Sequence, residues 1–232
     1  MTTNVQEAHA IEGKVIYVLA LVIIVQTLYP FTASDSLIPL FIYQFLYGML
    51  MFAGVIVARQ SPIYFRLLII FGIVWLISGA VFAFYQDVVW IETIAYAVIF
   101  CFQALVIRVL LEYIFITNTV NRDVLYAAIT VYVLLGALFV PIYGMVEDFT
   151  FLQTGQGAFS DSLADPTMPL PWQTFIYYSY ATLTTLGYGD ILPVTMWSRS
   201  IASVQAVVGV LYTTIIMARL VSVYVTAQEN SN

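Results

Sequence analysis

Long runs almost free of charge alternate with short polar punctuation along the whole chain. Val15 to Phe31, Leu37 to Ala58, Ile63 to Tyr85, Trp90 to Phe115, Val124 to Val146 and Thr195 to Thr226 are such runs. At about 1.5 Å of rise per residue, each is about long enough to cross the hydrocarbon core of a bilayer as a helix. Six spanning helices are expected. The punctuation is turn-like: Thr32-Ala33-Ser34-Asp35-Ser36, Arg59-Gln60-Ser61-Pro62, Gln86-Asp87 and Asn118 to Arg122. One connection is long, from Glu147 to Val194. It joins a polar stretch, Gln153 to Asp165, to an apolar stretch, Pro169 to Leu186, that is too short and interrupted to span. That pattern predicts a re-entrant hairpin.

Composition agrees with the pattern. Of 232 residues, 62% are hydrophobic and 9% charged, whereas a soluble domain is about half apolar and about a quarter charged. The chain reads as an all-α, multi-pass integral membrane protein. Seven Lys+Arg against 13 Asp+Glu give a net charge of -6, the wrong balance for nucleic-acid binding. Cys101 is the single cysteine, so it has neither a disulfide partner nor metal-ligating neighbours in register, and His9 reads as a solvated residue of a polar tail. Neither has the partners an enzyme's active site needs, and no cofactor is expected.

Charge sets the expected orientation. With the N-terminus inside, Lys14, Arg59, Arg66, Arg108, Arg122 and Arg219 all fall on the cytoplasmic side, and Arg199 is the exception. Both termini are then cytoplasmic, in the plasma (inner) membrane. Asp35, Asp87, Glu92, Glu147, Asp148, Asp161, Asp165 and Asp190 form the outer charge, read either as an acidic rim that concentrates cations or as solvated loop charge. A secretory signal is disfavoured because Glu7 and Glu12 oppose the single Lys14 before the first apolar run.

The informative stretch is Thr184-Thr185-Leu186-Gly187-Tyr188-Gly189-Asp190. From the chain's own composition, Thr-x-Gly-Tyr-Gly-Asp arises by chance on the order of once in ten thousand such chains. It follows a half-length apolar segment that opens at Pro171, as helices often do, and precedes a full span. These residues resemble the selectivity filter of the tetrameric potassium channels. The similarity runs from Trp172 through the last span and includes Pro193-Val194-Thr195-Met196-Trp197-Ser198-Arg199, which resembles the post-filter segment of the small two-helix bacterial members.

The resemblance implies a short pore helix, a filter and an inner helix, assembled as a homotetramer because one hairpin cannot enclose a pore. Potassium is then the permeant ion and membrane lipid the surroundings. A dehydrated potassium ion needs oxygens to replace its water, and rings of backbone carbonyls supply them. The implied ligands are the carbonyls of Thr185, Leu186, Gly187 and Tyr188, with the Thr185 hydroxyl innermost. Gly187 and Gly189 free the backbone to aim them. Tyr188 is implied to point away from the pore, or else to serve as an interfacial anchor. Asp190, Tyr177 and Tyr178 are the implied filter supports, one of the tyrosines bonding Asp190 or Tyr188. Leu186 stands where the family usually has Val, and Ala181 where some members place a Glu behind the filter. Gly209 matches the family's hinge glycine, though helix packing explains a glycine there equally well. Val210, Thr213, Met217 and Val221 recur at helical spacing and are expected to line the cavity and inner constriction.

Six spans with the filter after the fifth is also the layout of voltage-gated channels, but Arg108 is the only basic residue from Trp90 to Phe115. One charge cannot supply the several per subunit that steep voltage dependence needs. The organisation expected is a tail at 1–13, a four-helix unit without sensor charges at 14–118, a pore domain at 119–227 and a tail at 228–232. In the four-helix unit Tyr43, Gln44, Cys101 and Gln103 are expected as interhelical contacts. With only Ala227 to Asn232 after the last span, gating is expected to be intrinsic, lipid-driven or partner-driven. The leading reading is a potassium-selective channel without strong voltage gating. A poorly selective cation pore, a non-conducting subunit and a transporter are the alternatives, though the internal repeats of transporters are not visible.

Leu192 sits where an aromatic often lines the outer mouth of the family's pore and holds external tetraethylammonium by its ring face. External tetraethylammonium is therefore expected to block poorly in patch recordings, and Leu192→Tyr to tighten block; strong block of the unmodified chain would refute the alignment.

Overall fold

The computed structural model describes residues 13–33, 37–58, 62–84, 89–117, 121–164 and 168–229. Ser34 to Ser36, Arg59, Asp87, Asp165, His9 and the outermost tail residues lie outside them. The chain forms seven α-helices among the described residues: α1 Val15–Leu28, continued by a 3-10 turn Tyr29–Ala33, α2 Leu37–Val57, α3 Pro62–Phe84, α4 Val89–Ile116, α5 Arg122–Thr154, α6 Trp172–Leu183 and α7 Met196–Glu229. Five of the described helical stretches are long and apolar enough to cross a membrane: Val15–Thr32, Pro62–Gly79, Glu92–Ile116, Arg122–Thr154 and Met196–Val225. α2, Leu37–Val57, is a further apolar helix of 21 residues.

The fold is organised around α5, which packs against α1, α4, α6 and α7. Its start is set by Asn121, whose side chain accepts from the Val124 N–H, and its end by Gly155 at φ 68°, whose N–H closes on the Phe151 carbonyl. The helix thus runs past Val146, where the hydrophobic run ends, and carries Glu147 and Asp148 inside it. Small residues let neighbours approach. A Cβ on Gly144 would lie 2.6 Å from the Tyr96 ring, and one on Gly136 2.2 Å from the Tyr180 ring.

Glu147 corrects the sequence expectation most sharply. It is no rim charge: its side chain is fully buried. One carboxylate oxygen accepts from the N–H groups of Ala158 and Phe159, at 2.7 and 3.1 Å, and the other from that of Leu170, at 3.0 Å. A buried carboxylate needs such donors in place of water, and here two come from the polar stretch of the long connection and one from the start of its apolar stretch. That connection also contains two strands, β1 Phe159–Asp161 and β2 Ile191–Pro193, which pair antiparallel with Ser160 opposite Leu192. The all-helical expectation therefore misses one short ladder, formed because the residues before α6 lie alongside those after the hairpin.

Arg108 and Arg219 both make their contacts toward the C-terminal end of α4. The Gly13 N–H donates to Asp123, Arg108 donates to Tyr64 at 2.7 Å and pairs with Glu112 at 3.0 Å. Arg219 donates to the carbonyls of Ile114, Phe115 and Thr117 at the end of α4, completing carbonyls that the helix leaves open. The last helix is thereby tied to the end of α4 in its own chain.

Removing the Glu147 carboxylate strands three buried N–H groups at about 1–3 kcal/mol each. Glu147→Ala is expected to destabilise the folded protein by about 3 kcal/mol or more, with Glu147→Gln intermediate, read as the fall in unfolding midpoint of the detergent-solubilised protein.

Candidate functional site

The hairpin from α6 to α7 is built on a helix of 12 residues, too short to be stable on its own. It is held from behind by polar contacts. Ser179, fully buried, donates through its hydroxyl to the Gly136 carbonyl at 2.5 Å. Gln205 of α7 donates to the Ser179 hydroxyl at 2.6 Å and to its carbonyl at 3.1 Å, and Gln205 in turn accepts from the Tyr143 hydroxyl. Tyr180 donates to the Val133 carbonyl at 2.8 Å. Tyr178 turns into the aromatic cluster of Tyr143 and Phe159, with ring centroids 5.0 and 5.1 Å away.

At the end of α6 the backbone changes character. Thr184 still donates to the Tyr180 carbonyl, at 3.0 Å from its N–H and 2.7 Å from its hydroxyl. Next, the N–H groups of Leu186 and Gly187 both return to the Ala181 carbonyl, at 2.8 and 3.3 Å. The sign of φ alternates along the loop: Thr185 at 58°, Gly187 at 56° and Gly189 at 81° are positive, and Leu186 and Tyr188 are not. Alternation of right- and left-handed residues gathers N–H groups on one side and carbonyls on the other. Among the described residues no hydrogen bond ends on the carbonyls of Thr185, Leu186, Gly187 or Tyr188.

Space does not dictate the two glycines, since a Cβ at Gly187 or Gly189 would meet nothing within 4 Å. Their left-handed φ does. Thr185 adopts the same region with a β-branched side chain, a strained conformation of about 1–3 kcal/mol that sequence reading did not anticipate. Every residue from Thr184 to Asp190 is exposed on the single chain.

Tyr177 connects the helix to the far end of the loop. Its ring stacks on that of Tyr188, centroids 6.5 Å apart and planes 8° from parallel, and its hydroxyl donates to Asp190 at 2.7 Å. That bond, foremost, holds the Asp190 carboxyl below the ordinary carboxylate range and pushes the Tyr177 phenol up to about 12. The Asp190 carbonyl accepts from Ser162 at 3.2 Å. Beyond β2, Thr195 and Ser198 cap α7 reciprocally, Ser198 also donates to Ala158, and Arg199 donates to the Pro193 carbonyl.

Gly209 lies where the end of α6 meets α7. A Cβ there would come within 2.5 Å of the Leu183 carbonyl oxygen, so close packing by itself requires a glycine. Val210, Thr213, Met217 and Val221 share an exposed face of α7, turned from the buried Gln205, Gly209 and Ile216. The Ser179–Gln205–Tyr143 network was missed in the sequence. Gln205, an amide in the middle of a spanning run, was the available signal.

Residues 127–226 match a family model described as ion channel. No solved structure matches the chain.

The Tyr177–Asp190 bond requires an ionised Asp190 and a protonated Tyr177. Because the folded carboxyl is lowered, its contribution is present above the unfolded aspartate pKa of about 4 and lost as pH falls through the lower folded value. Because the phenol is raised, its contribution is complete below its unfolded pKa of about 10 and is lost as pH rises through about 12. Tyr177→Phe is expected to move the Asp190 titration upward in carbon-13 NMR of labelled aspartate; an unchanged titration would refute the contact.

Proposed function

We propose that this chain, which carries an ion-channel domain over residues 127–226, is the subunit of a homotetrameric, potassium-selective channel without strong voltage gating. The observation that carries the reading is the alternation of φ at Thr185, Gly187 and Gly189, which gathers a row of carbonyls that no described group of the chain occupies. Unpaired backbone at membrane depth is tolerated only where protein covers it or water reaches it. Further copies of the exposed loop around one axis meet that requirement, and fourfold closure supplies carbonyl rings for a dehydrated potassium ion.

In this assembly Thr185, Leu186, Gly187 and Tyr188 coordinate the ion, and the Thr185 hydroxyl adds the innermost oxygens. Tyr177 and Asp190 hold the outer end of the filter, while Tyr178 acts from behind through the aromatic cluster. The C-terminal end of α6 directs its partial negative charge at the inner cavity, favouring a cation there. Val210, Thr213, Met217 and Val221 line the cavity and constriction, and Gly209 is both the seat of α6 and the bending point of α7.

The division into a four-helix unit at 14–118 and a pore domain at 119–227 follows from these roles. Arg108, paired with Glu112 and bonded to Tyr64 at one end of α4, supplies no ladder of gating charges. Basic residues at that same end support cytoplasmic termini in a plasma membrane.

In liposomes under opposed tenfold potassium and sodium gradients, the zero-current potential is expected near the potassium limit, about 59 mV for a monovalent ion, and lost in Gly187→Ala and Tyr188→Asp. A potential near zero in the unmodified channel would refute potassium selectivity and leave a non-selective cation pore.

A further inference from the structure

Between the four-helix unit and the back of the pore domain lies a cavity of about 140 Å³, walled by residues of α1 to α6. Its volume is close to that of an engineered apolar cavity of about 150 Å³ that binds benzene. Much of the wall is apolar, including Trp75, Pro141 and Ile176. The polar part is unbalanced. Gln103 is 3% exposed; its amide nitrogen donates to the Tyr47 hydroxyl at 2.9 Å, but its oxygen is buried without a donor. The amide oxygen of Gln26, also on the wall, is likewise buried without a donor.

Two nearby donors are committed elsewhere. The Ser78 hydroxyl donates to the Trp75 carbonyl at 2.9 Å, and the Tyr96 hydroxyl to Glu92 at 2.7 Å. The amide nitrogen of Gln44 sits against Gly79, where an added Cβ would come within 2.4 Å of it. No Lys or Arg is among the described residues lining the cavity, whereas Glu92 is.

We propose that this cavity is a binding site for a small amphiphile with a ring-sized apolar body and a hydrogen-bond-donating head, a primary amine or alcohol. The head donates to the Gln103 amide oxygen, with Gln26 as a second acceptor, and the body packs against Trp75, Pro141 and Ile176. An anionic head is rejected, because the wall offers it acceptors and a carboxylate. Since Ile176 belongs to α6 and Pro141 to α5, an occupant braces the rear of the helix that carries the filter loop.

The test is saturable binding to the full chain in nanodiscs, measured by calorimetry with benzylamine, benzyl alcohol, toluene and benzoate. Benzylamine and benzyl alcohol are expected to bind at least tenfold more tightly than toluene, and benzoate not at all. Gln103→Leu is expected to weaken the two donors at least tenfold, Gln103→Glu to retain benzylamine, and Ala95→Phe, which fills the cavity from α4, to abolish binding. Toluene binding as tightly as benzyl alcohol, indifference to Gln103→Leu, or no saturable binding of any probe, as for a cavity holding water only, would overturn the proposal. The readout is binding rather than flux, so failure of potassium selectivity leaves it standing.

Discussion

A hairpin that keeps its carbonyls unpaired inside a membrane protein must be held by everything except those carbonyls. In this chain the holding is done from behind, by the hydrogen bonds that fix Ser179 to Gly136 and Gln205, and Gln205 to Tyr143. Each member is a polar side chain in an apolar setting, so its satisfied geometry is strongly preferred over any in which a member is left unpaired. The network joins α5, α6 and α7 at one level, and the loop inherits its position from it. The strain at Thr185 persists because the N–H groups of the two following residues are tied back to Ala181.

The outer side of the loop is fixed by a different set of forces. Glu147 gathers three backbone N–H groups of the long connection, which sets where β1 lies. β2 pairs with β1, and Asp190, just before β2, is thereby placed within reach of Tyr177. A buried charge on α5 thus determines the register of a segment some 40 residues later, through backbone rather than side-chain partners. The hairpin is clamped between this outer frame and the inner network.

The group of helices α1 to α4 makes two kinds of contact with this frame. Its helices α1 and α4 lie along α5, and Arg219 ties the far end of α7 to the carbonyls that close α4. Movement of α7 relative to α4 therefore costs charge-assisted hydrogen bonds at one end, and movement relative to α6 costs packing at Leu183 and Gly209 near its middle. The cavity behind Ile176 is the looser region of this contact, with polar groups left incompletely paired.

Much was legible in the sequence by itself. Apolar run length places the helices to within a few residues, because a spanning helix must be about as long as the bilayer is thick, except at the end of α5, which continues from Val146 to Thr154. Thr185 to Gly189 marks the loop, because only glycine adopts left-handed φ without cost. The tertiary structure decided the rest. Glu147, at the edge of an apolar run, reads as a surface charge until the chain folds back and offers it donors. Gln205 and Ser179, 26 residues apart, carry no local sign of their partnership. The strands Phe159–Asp161 and Ile191–Pro193 are too short to show a period and exist only because each meets the other. Local pattern reports how a residue meets solvent or lipid; which polar group satisfies which is a property of the folded arrangement alone.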